Sequence, residues 1–464
     1  MPPGYGGRYG HPLMRRPILS PGQGPRARAV VEGMTLLTPR HQSLHRAGQV
    51  YRLIIAVAQK HGPVTRLMKI ALLCSGLGHI HRGHEVFARD LFTLLRGSVD
   101  ITLFKGGGEA ADQERVVDNL PRNATCLRDV HVAVAPKWAA AARELERLRI
   151  EGETFAHAAL MPLLEGGYDV VHCLEQEVCN VIFDNRHLFA RPPKVLFSNG
   201  GAIAARDLPR CDFVQEHTPH NLKFSARHKA FMIPHGVDLD QFRPGLQTDF
   251  RARHGIAQDA FVVLSVGTIC YWHKRMDHVI REVAPLQDVH LVIVGQEGPD
   301  SAAIKQLGYE LLGSRVTFTT MPHDELPKVY AAADLFVLGS LFETFGIVYI
   351  EAMAMGLPVV CTDHKNQRLI VQEGIFIDMK QRGLLTQVLQ RRNPAELSAL
   401  GLRGRAVAVR EYDISVLQQR YLERYRAISE APSSLPRYTL TSKLTANARN
   451  AVRRSIRLFA GQAE

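Results

Sequence analysis

From Lys69 onward the chain repeats one pattern, a short apolar run, a polar turn and a stretch of helical period. KIALLC (69–74) is followed by HEVFARDLFTLLRG, DITLFKG, DVVHCL, KVLFSN and FVQEH. The alternation restarts at FVVLSVG (261–267) and continues through RMDHVIREVAPL, VHLVIVG, RVTFTT, LPKVYAAA, DLFVLG and LPVVCTD. Strands that are apolar on every residue, rather than on alternate ones, must be covered on both faces, and the intervening helices supply the cover. Such a chain is confined to parallel, doubly wound α/β sheets. The Pro- and Gly-bearing segment IPHGVDLDQFRPG (233–245) separates the two series and predicts two domains. A chain of 464 residues can fill both, because a single core stops growing at roughly 250–300 residues. In open sheets of this kind ligands bind in the cleft beyond the carboxyl ends of the strands, so the chemistry is expected there.

The formal net charge of +12 suggests nucleic acid or a membrane until its location is read. Residues 1–67 hold ten basic side chains and one acidic, residues 431–464 hold six and one, and the body between them is left at −2. A near-neutral body without a basic patch interleaved with aromatics sets nucleic-acid binding aside. The cysteines at 74, 126, 173, 179, 211, 270 and 361 are odd in number and never at CxxC spacing, which argues for a reducing compartment and against a zinc site. No apolar run reaches the roughly 18 residues of a membrane span. LIIAVA (53–58) is too short for a signal peptide, and a cytoplasmic protein is expected. Residues 1–30, rich in Gly, Pro and Arg without an apolar period, are expected to be disordered. The whole of 1–67 reads as an extension upstream of a natural start at Met68.

The segment GSLFETFGIVYIEAMAMGLPVV (339–360) sets Glu343 and Glu351 in a stretch that is otherwise small or apolar. It reads as a strand end, a loop (LFETF) and a helix stopped by Gly356 and Pro358. At about 100° per residue Ile347, Ile350, Glu351 and Ala354 share one face, and most of the remainder is apolar too, so Glu351 is expected to be buried. A buried carboxylate needs partners, either a core Arg or Lys or a pair of ligand hydroxyls. Glu343, at a strand's carboxyl end, is expected to be exposed to the cleft. Behind it the free amides around Phe345 and Gly346 open the helix and, with its dipole, form an anion site. Gly346 lets a phosphate approach the backbone closely.

A cation is offered by GTICYWHKRMD (267–277), where Lys274 and Arg275 follow a strand end. They either neutralise a departing diphosphate or remain solvated loop charges. GLGHIHRGHE (76–85) carries glycines after the first strand, but Gly83 stands five residues after Gly78 instead of three, which weakens a dinucleotide-fingerprint reading. That loop still brings His79, His81, Arg82 and His84 to a helix start. His172 in DVVHCLE lies at another strand end and is expected to face the cleft, as a structural or a catalytic histidine.

IPHGVDLDQF, LVIVGQEG, ELPKVYAAADLFVLGS and ETFGIVYIEAMAMGLPVVCTD stand in one order, the last holding an E-x7-E motif from Glu343 to Glu351. With these segments the chain resembles, from Met68 to about Tyr425, the retaining nucleotide-sugar glycosyltransferases of family 4, whose GT-B fold sets two Rossmann-like domains about a cleft. The resemblance implies an N-terminal acceptor domain over 68–235, a C-terminal donor domain over 236–425, and a return helix with a basic tail over 426–464. It implies Glu351 on the donor ribose, Glu343 on the transferred sugar, and Lys274 with the Phe345 and Gly346 amides on the diphosphate. Gly295 of LVIVGQEG and Gly83 of RGHE also fall to the donor side. It further implies no metal, no cofactor beyond the nucleoside diphosphate sugar as co-substrate, and a glycan, glycolipid or small-molecule acceptor.

Three departures stand out. Thr268 replaces an arginine usual in the family, leaving Arg275 or Arg82 to supply that cation. Leu174 replaces a histidine, leaving His172 and His84 as candidate catalytic histidines. KNQRLIV (365–371) alters a segment concerned with the sugar. In TSKLTANARNAVRRSIRLFA (441–460) apolar residues align near one helical face and Arg449, Arg453 and Arg457 on another. This tail either lies on anionic lipid, near lipid-linked acceptors, or follows the return helix as a solvated end. The competing readings are a catalytically idle sugar-nucleotide binding protein, and an epimerase or NAD-dependent oxidoreductase.

Overall fold

The computed structural model describes residues 68–80 and 83–432. The expected extension over 1–67, His81 and Arg82, and the basic tail from 433 onward lie outside the described residues. Each sequence series forms one parallel sheet. The first comprises β1 (Lys69–Cys74), β2 (Asp100–Lys105), β3 (Glu114–Val116), β4 (Val170–Cys173), β5 (Lys194–Ser198), β6 (Phe213–Glu216) and β7 (Ala230–Met232), in the order β3-β2-β1-β4-β5-β6-β7. The second comprises β8 (Phe261–Val266), β9 (Val289–Val294), β10 (Val316–Thr319), β11 (Leu335–Val337), β12 (Val359–Thr362) and β13 (Ile375–Ile377), in the order β10-β9-β8-β11-β12-β13.

β1 shows why the strands are apolar at every position. Ile70, Leu72 and Cys74 enter one core cluster while Ala71 and Leu73 enter another. Successive side chains point to opposite faces, and both faces are packed. The order reverses between β1 and β4 in the first sheet and between β8 and β11 in the second. At such a reversal the outgoing loops diverge and leave a crevice at the carboxyl ends.

Four helices position what lies in those crevices: α1 (Gly83–Leu95), α2 (Met276–Val283), α3 (Ile347–Ala354) and α4 (Ile414–Glu430). α4 buries Leu417, Tyr421, Tyr425 and Ile428 in the core of the first domain. The return to that domain therefore begins at Ile414, earlier than the boundary expected at 426. The two crossings between domains run side by side, with Val237 N donating to Tyr412 O at 2.8 Å and Ile414 N to Val237 O at 3.2 Å. The domains also meet at the site, where a Cβ placed on Gly83 would lie 3.7 Å from Ile347 Cδ1 and Asn221 Nδ2 donates to Thr344 O at 3.4 Å. No described helix is long and apolar enough to cross a membrane.

Candidate functional site

The loops leaving the neighbouring strands β8 and β11 lie against each other. A Cβ on Gly339 would stand 3.0 Å from Arg275 O, so glycine there lets the second loop pack tightly on the first. This brings Lys274 Nζ to 2.6 Å from Glu343 Oε1, with His273 Nε2 at 3.5 Å from the same oxygen. Glu343 is only 4% exposed. The expectation of a carboxylate open to the cleft is corrected here, because Lys274 and His273 cover it. Lys274 is likewise a paired charge and not a solvated one.

Behind Glu343 the chain turns into α3 through Gly346, whose φ of 78° is left-handed. A side chain there would be strained, and its Cβ would come within 2.8 Å of the Tyr349 ring. The amides of Phe345 and Gly346 meet no acceptor among the described residues. The carbonyls before them are tied inward by the fully buried Asn366, whose Nδ2 donates to Glu343 O at 2.8 Å and Thr344 O at 2.9 Å. Two free amides at the start of a buried helix, beside a lysine, form a site for an anion.

Glu351 lies farther along α3 and is 2% exposed, as its helical position predicts. Its carboxylate accepts from Tyr330 Oη and pairs with His323 Nε2, each at 2.7 Å. The partner is thus neither a core Arg nor a Lys. Burial opposes a charge on His323, but the hydrogen bond and charge of Glu351 outweigh it and raise the imidazole's pKa. Asp90 of α1 approaches this pair from the other domain. Burial pushes its carboxyl up to about 6, partly offset by His323 and reinforced by the charge of Glu351.

Other expected residues fall elsewhere. His172 does not face the cleft. It lies within β4, fully buried, on the face opposite Val171 and Cys173, and its Nδ1 sits 2.7 Å from Tyr425 Oη of α4. Strand alternation, not proximity to the strand's end, decides where its side chain goes. Burial lowers its pKa to about 3, which fixes it neutral. Arg275 caps α2 at a φ of 50°, and its Nη1 donates to Met379 O at 2.5 Å and Gly339 O at 3.5 Å. Its guanidinium ties loops together, so the expectation that it supplies a free cation is corrected. Gly295 donates its amide to Thr319 O, and a Cβ there would sit 1.8 Å from Gly267 O. It is required for close approach of two backbones.

His84 stands at the start of α1 with Nε2 3.5 Å from Glu175 Oε1, beyond the end of β4. Burial opposes its charge, and Glu175 overcomes this to raise the pKa. Ser75 donates to the same Glu175 oxygen from its amide at 2.9 Å and its hydroxyl at 3.1 Å. Cys74, His84 and Glu175 offer ligand atoms within 4.8 Å of one another. Burial and then the carboxylates of Glu175 and Glu85 push the Cys74 thiol up, which disfavours the thiolate a metal needs. His273, His323, Tyr330, Asn366 and Glu175 were not singled out from the sequence. All but His323 fall within segments quoted above, His273 in GTICYWHKRMD, Glu175 in DVVHCLE, Tyr330 in ELPKVYAAADLFVLGS and Asn366 in KNQRLIV.

Two sheets of this topology, joined by a double crossing and closed by a returning helix, make a GT-B fold. Solved structures agree. Sucrose-phosphate synthase from Thermosynechococcus elongatus superposes with a TM-score of 0.63 at 22% identity, covering 78% of this chain and 99% of that one. The Anabaena protein HepE in complex with UDP-glucose gives 0.61 at 17% identity, covering 78% and 100%. WaaG, a glycosyltransferase involved in lipopolysaccharide biosynthesis, gives 0.55 at 17% identity, also covering 78% and 100%. Residues 260–399 match the family Glycosyl transferases group 1. The D-inositol 3-phosphate glycosyltransferase of Mycobacterium tuberculosis is 38% identical over 148 residues, which is 30% of this chain and 30% of that protein's length.

Proposed function

We propose that this protein is a retaining glycosyltransferase of the family 4 type that moves a sugar from a nucleoside diphosphate sugar to a glycan, lipid-linked or small-molecule acceptor. The observation that carries the reading is the arrangement about α3. Lys274, Glu343 and the open amides of Phe345 and Gly346 gather at its start, and Glu351 with His323 lies little more than one turn on. That order suits a sugar, a diphosphate and a ribose laid along one helix. The match of residues 260–399 to a glycosyltransferase family supports it, because that segment contains this arrangement.

In this reading the diphosphate enters the helix start and draws Lys274 away from Glu343, which then accepts hydroxyls of the transferred sugar. Glu351 exchanges His323 for the ribose diol. The leaving phosphate takes its stabilisation from Lys274 and the helix amides, so the protein's contribution is positioning and charge compensation without a metal ion. Gly83, at the start of α1 and against Ile347, lets the first domain close over the donor. His84 with Glu175 faces the acceptor side, and the basic tail beyond 433 gives peripheral membrane contact.

The test is a panel of nucleotide sugars scored by thermal shift and by donor hydrolysis, with and without EDTA. A nucleoside diphosphate sugar is expected to stabilise the protein and to be hydrolysed slowly. Binding without any turnover would favour the idle binding protein, and stabilisation by NAD alone the oxidoreductase.

A further inference from the structure

The loop from Gly267 to Arg275 carries Tyr271, Trp272 and His273 immediately before Lys274. Trp272 is 83% exposed, an unusual placement for an indole. Its ring stacks on that of His273 at 5.2 Å with an interplanar angle of 25°, and His273 in turn reaches Glu343. Its chain neighbour Tyr271 is exposed as well. The loop is a pinned structure. Ile269 N donates to Gln296 O at 3.1 Å, Ser301 Oγ to Ile269 O at 3.0 Å, and Tyr271 N to Asp300 Oδ2 at 3.2 Å.

We propose that Trp272 is a stacking platform for a sugar unit of an extended glycan acceptor, set at the mouth of the Glu343 end of the site. This rests on the nucleotide-sugar reading above and narrows its acceptor from small molecules to oligosaccharides.

A pyranose has an apolar C–H face and a rim of hydroxyls, so it requires a flat aromatic surface beside polar side chains. Trp272 offers the first, and the ring of His273 that holds it, itself 39% exposed, offers the second. A large aromatic with few rotatable bonds gives contact area at small entropic cost. The Asp300 carboxylate accepts from the Tyr271 amide on the flank of the loop, and the Lys274 charge is taken up by Glu343, which among the described residues leaves Trp272 without the free basic cluster an anionic lipid surface needs. Trp272 stands by the carboxylate assigned to the sugar and not by Glu351, which is assigned to the ribose, so a nucleobase is not the expected occupant.

The chain contains two tryptophans, Trp138 and Trp272. In Trp138→Phe the emission reports Trp272 alone. Titration with short neutral gluco- and manno-oligosaccharides in the presence of UDP is expected to give a saturable blue shift. The same shift should be missing with UDP alone and with phosphatidylglycerol vesicles. Trp272→Ala is expected to weaken oligosaccharide binding roughly tenfold by calorimetry, the scale of one aromatic contact, with part restored in Trp272→Phe. No response to any oligosaccharide overturns the platform, and so does an equal response to UDP alone or to vesicles. The rise in melting temperature of Trp138→Phe with UDP is read in parallel. If it is present while Trp272 stays silent, only the platform fails. If it is absent with UDP, GDP and ADP alike, the nucleotide-sugar reading itself fails.

Discussion

Lys274 Nζ and Glu343 Oε1 lie 2.6 Å apart, so two charges assigned to different parts of a donor are held against each other. Both are nearly buried, and removing one strands the other. Glu343→Ala is expected to cost about 3–5 kcal/mol of stability, the scale for breaking a buried pair from one side. The double variant Lys274→Ala/Glu343→Ala should cost clearly less than the sum of the two single changes. Urea unfolding measures all three, and strict additivity would mean that the pair is not coupled.

The His323–Glu351 pair makes a stability contribution that depends on pH. The folded-state pKa of His323 lies above the ordinary value of 6.5. Its contribution is therefore complete below 6.5 and is lost as pH rises through the folded value. The melting temperatures of the wild type and His323→Gln should converge from neutral toward alkaline pH. A constant difference across that range counts against the pair.

Gly346→Ala forces a side chain into a left-handed residue and against the Tyr349 ring at 2.8 Å. The backbone term alone is about 1–2 kcal/mol. Gly383→Ala meets the same kind of backbone at a φ of 85° with nothing within 4 Å, and so isolates that term. Unfolding free energies should rank Gly346→Ala well below Gly383→Ala, and the thermal shift with UDP should vanish only in the former. Equal losses would show that Gly346 has no packing role.

His172 is neutral and buried, with a pKa of about 3, while an unfolded chain takes up a proton near 6.5. As pH falls below 6.5 the unfolded state gains protons that the folded state refuses, so stability declines. From pH 7 to 5 this amounts to about 2 kcal/mol. His172→Gln should make that acid limb shallower by about this amount in urea unfolding, with the buried His217, His235 and His290 still contributing the rest, while donor hydrolysis persists. Loss of hydrolysis in a folded His172→Gln protein would restore a catalytic role.

The parts of this molecule legible in its sequence are those written in local period. Strands covered on both faces appear as unbroken apolar runs, so most of both sheets could be read directly, whereas β3, β7 and β13 lie at sheet edges, are incompletely covered and carry no such signal; β11, equally short but fully buried, does. The burial of Glu351 follows from helical spacing. The need for glycine at 346 follows from an abrupt turn into a helix.

What the sequence determined by itself is therefore the layer architecture, the place of the cleft at the strands' carboxyl ends, and the helix on which the two acids lie. Only the tertiary structure decided what those acids touch. Glu343 is covered by Lys274, 69 residues away in the chain, and Glu351 by His323 and Tyr330 from the neighbouring loop and helix. His172 was turned from the cleft by the parity of its strand and met by Tyr425, 253 residues on. Periodicity fixes which face a side chain occupies only when the faces are already known. The partner on that face is set by packing between segments whose separation along the chain leaves no local trace.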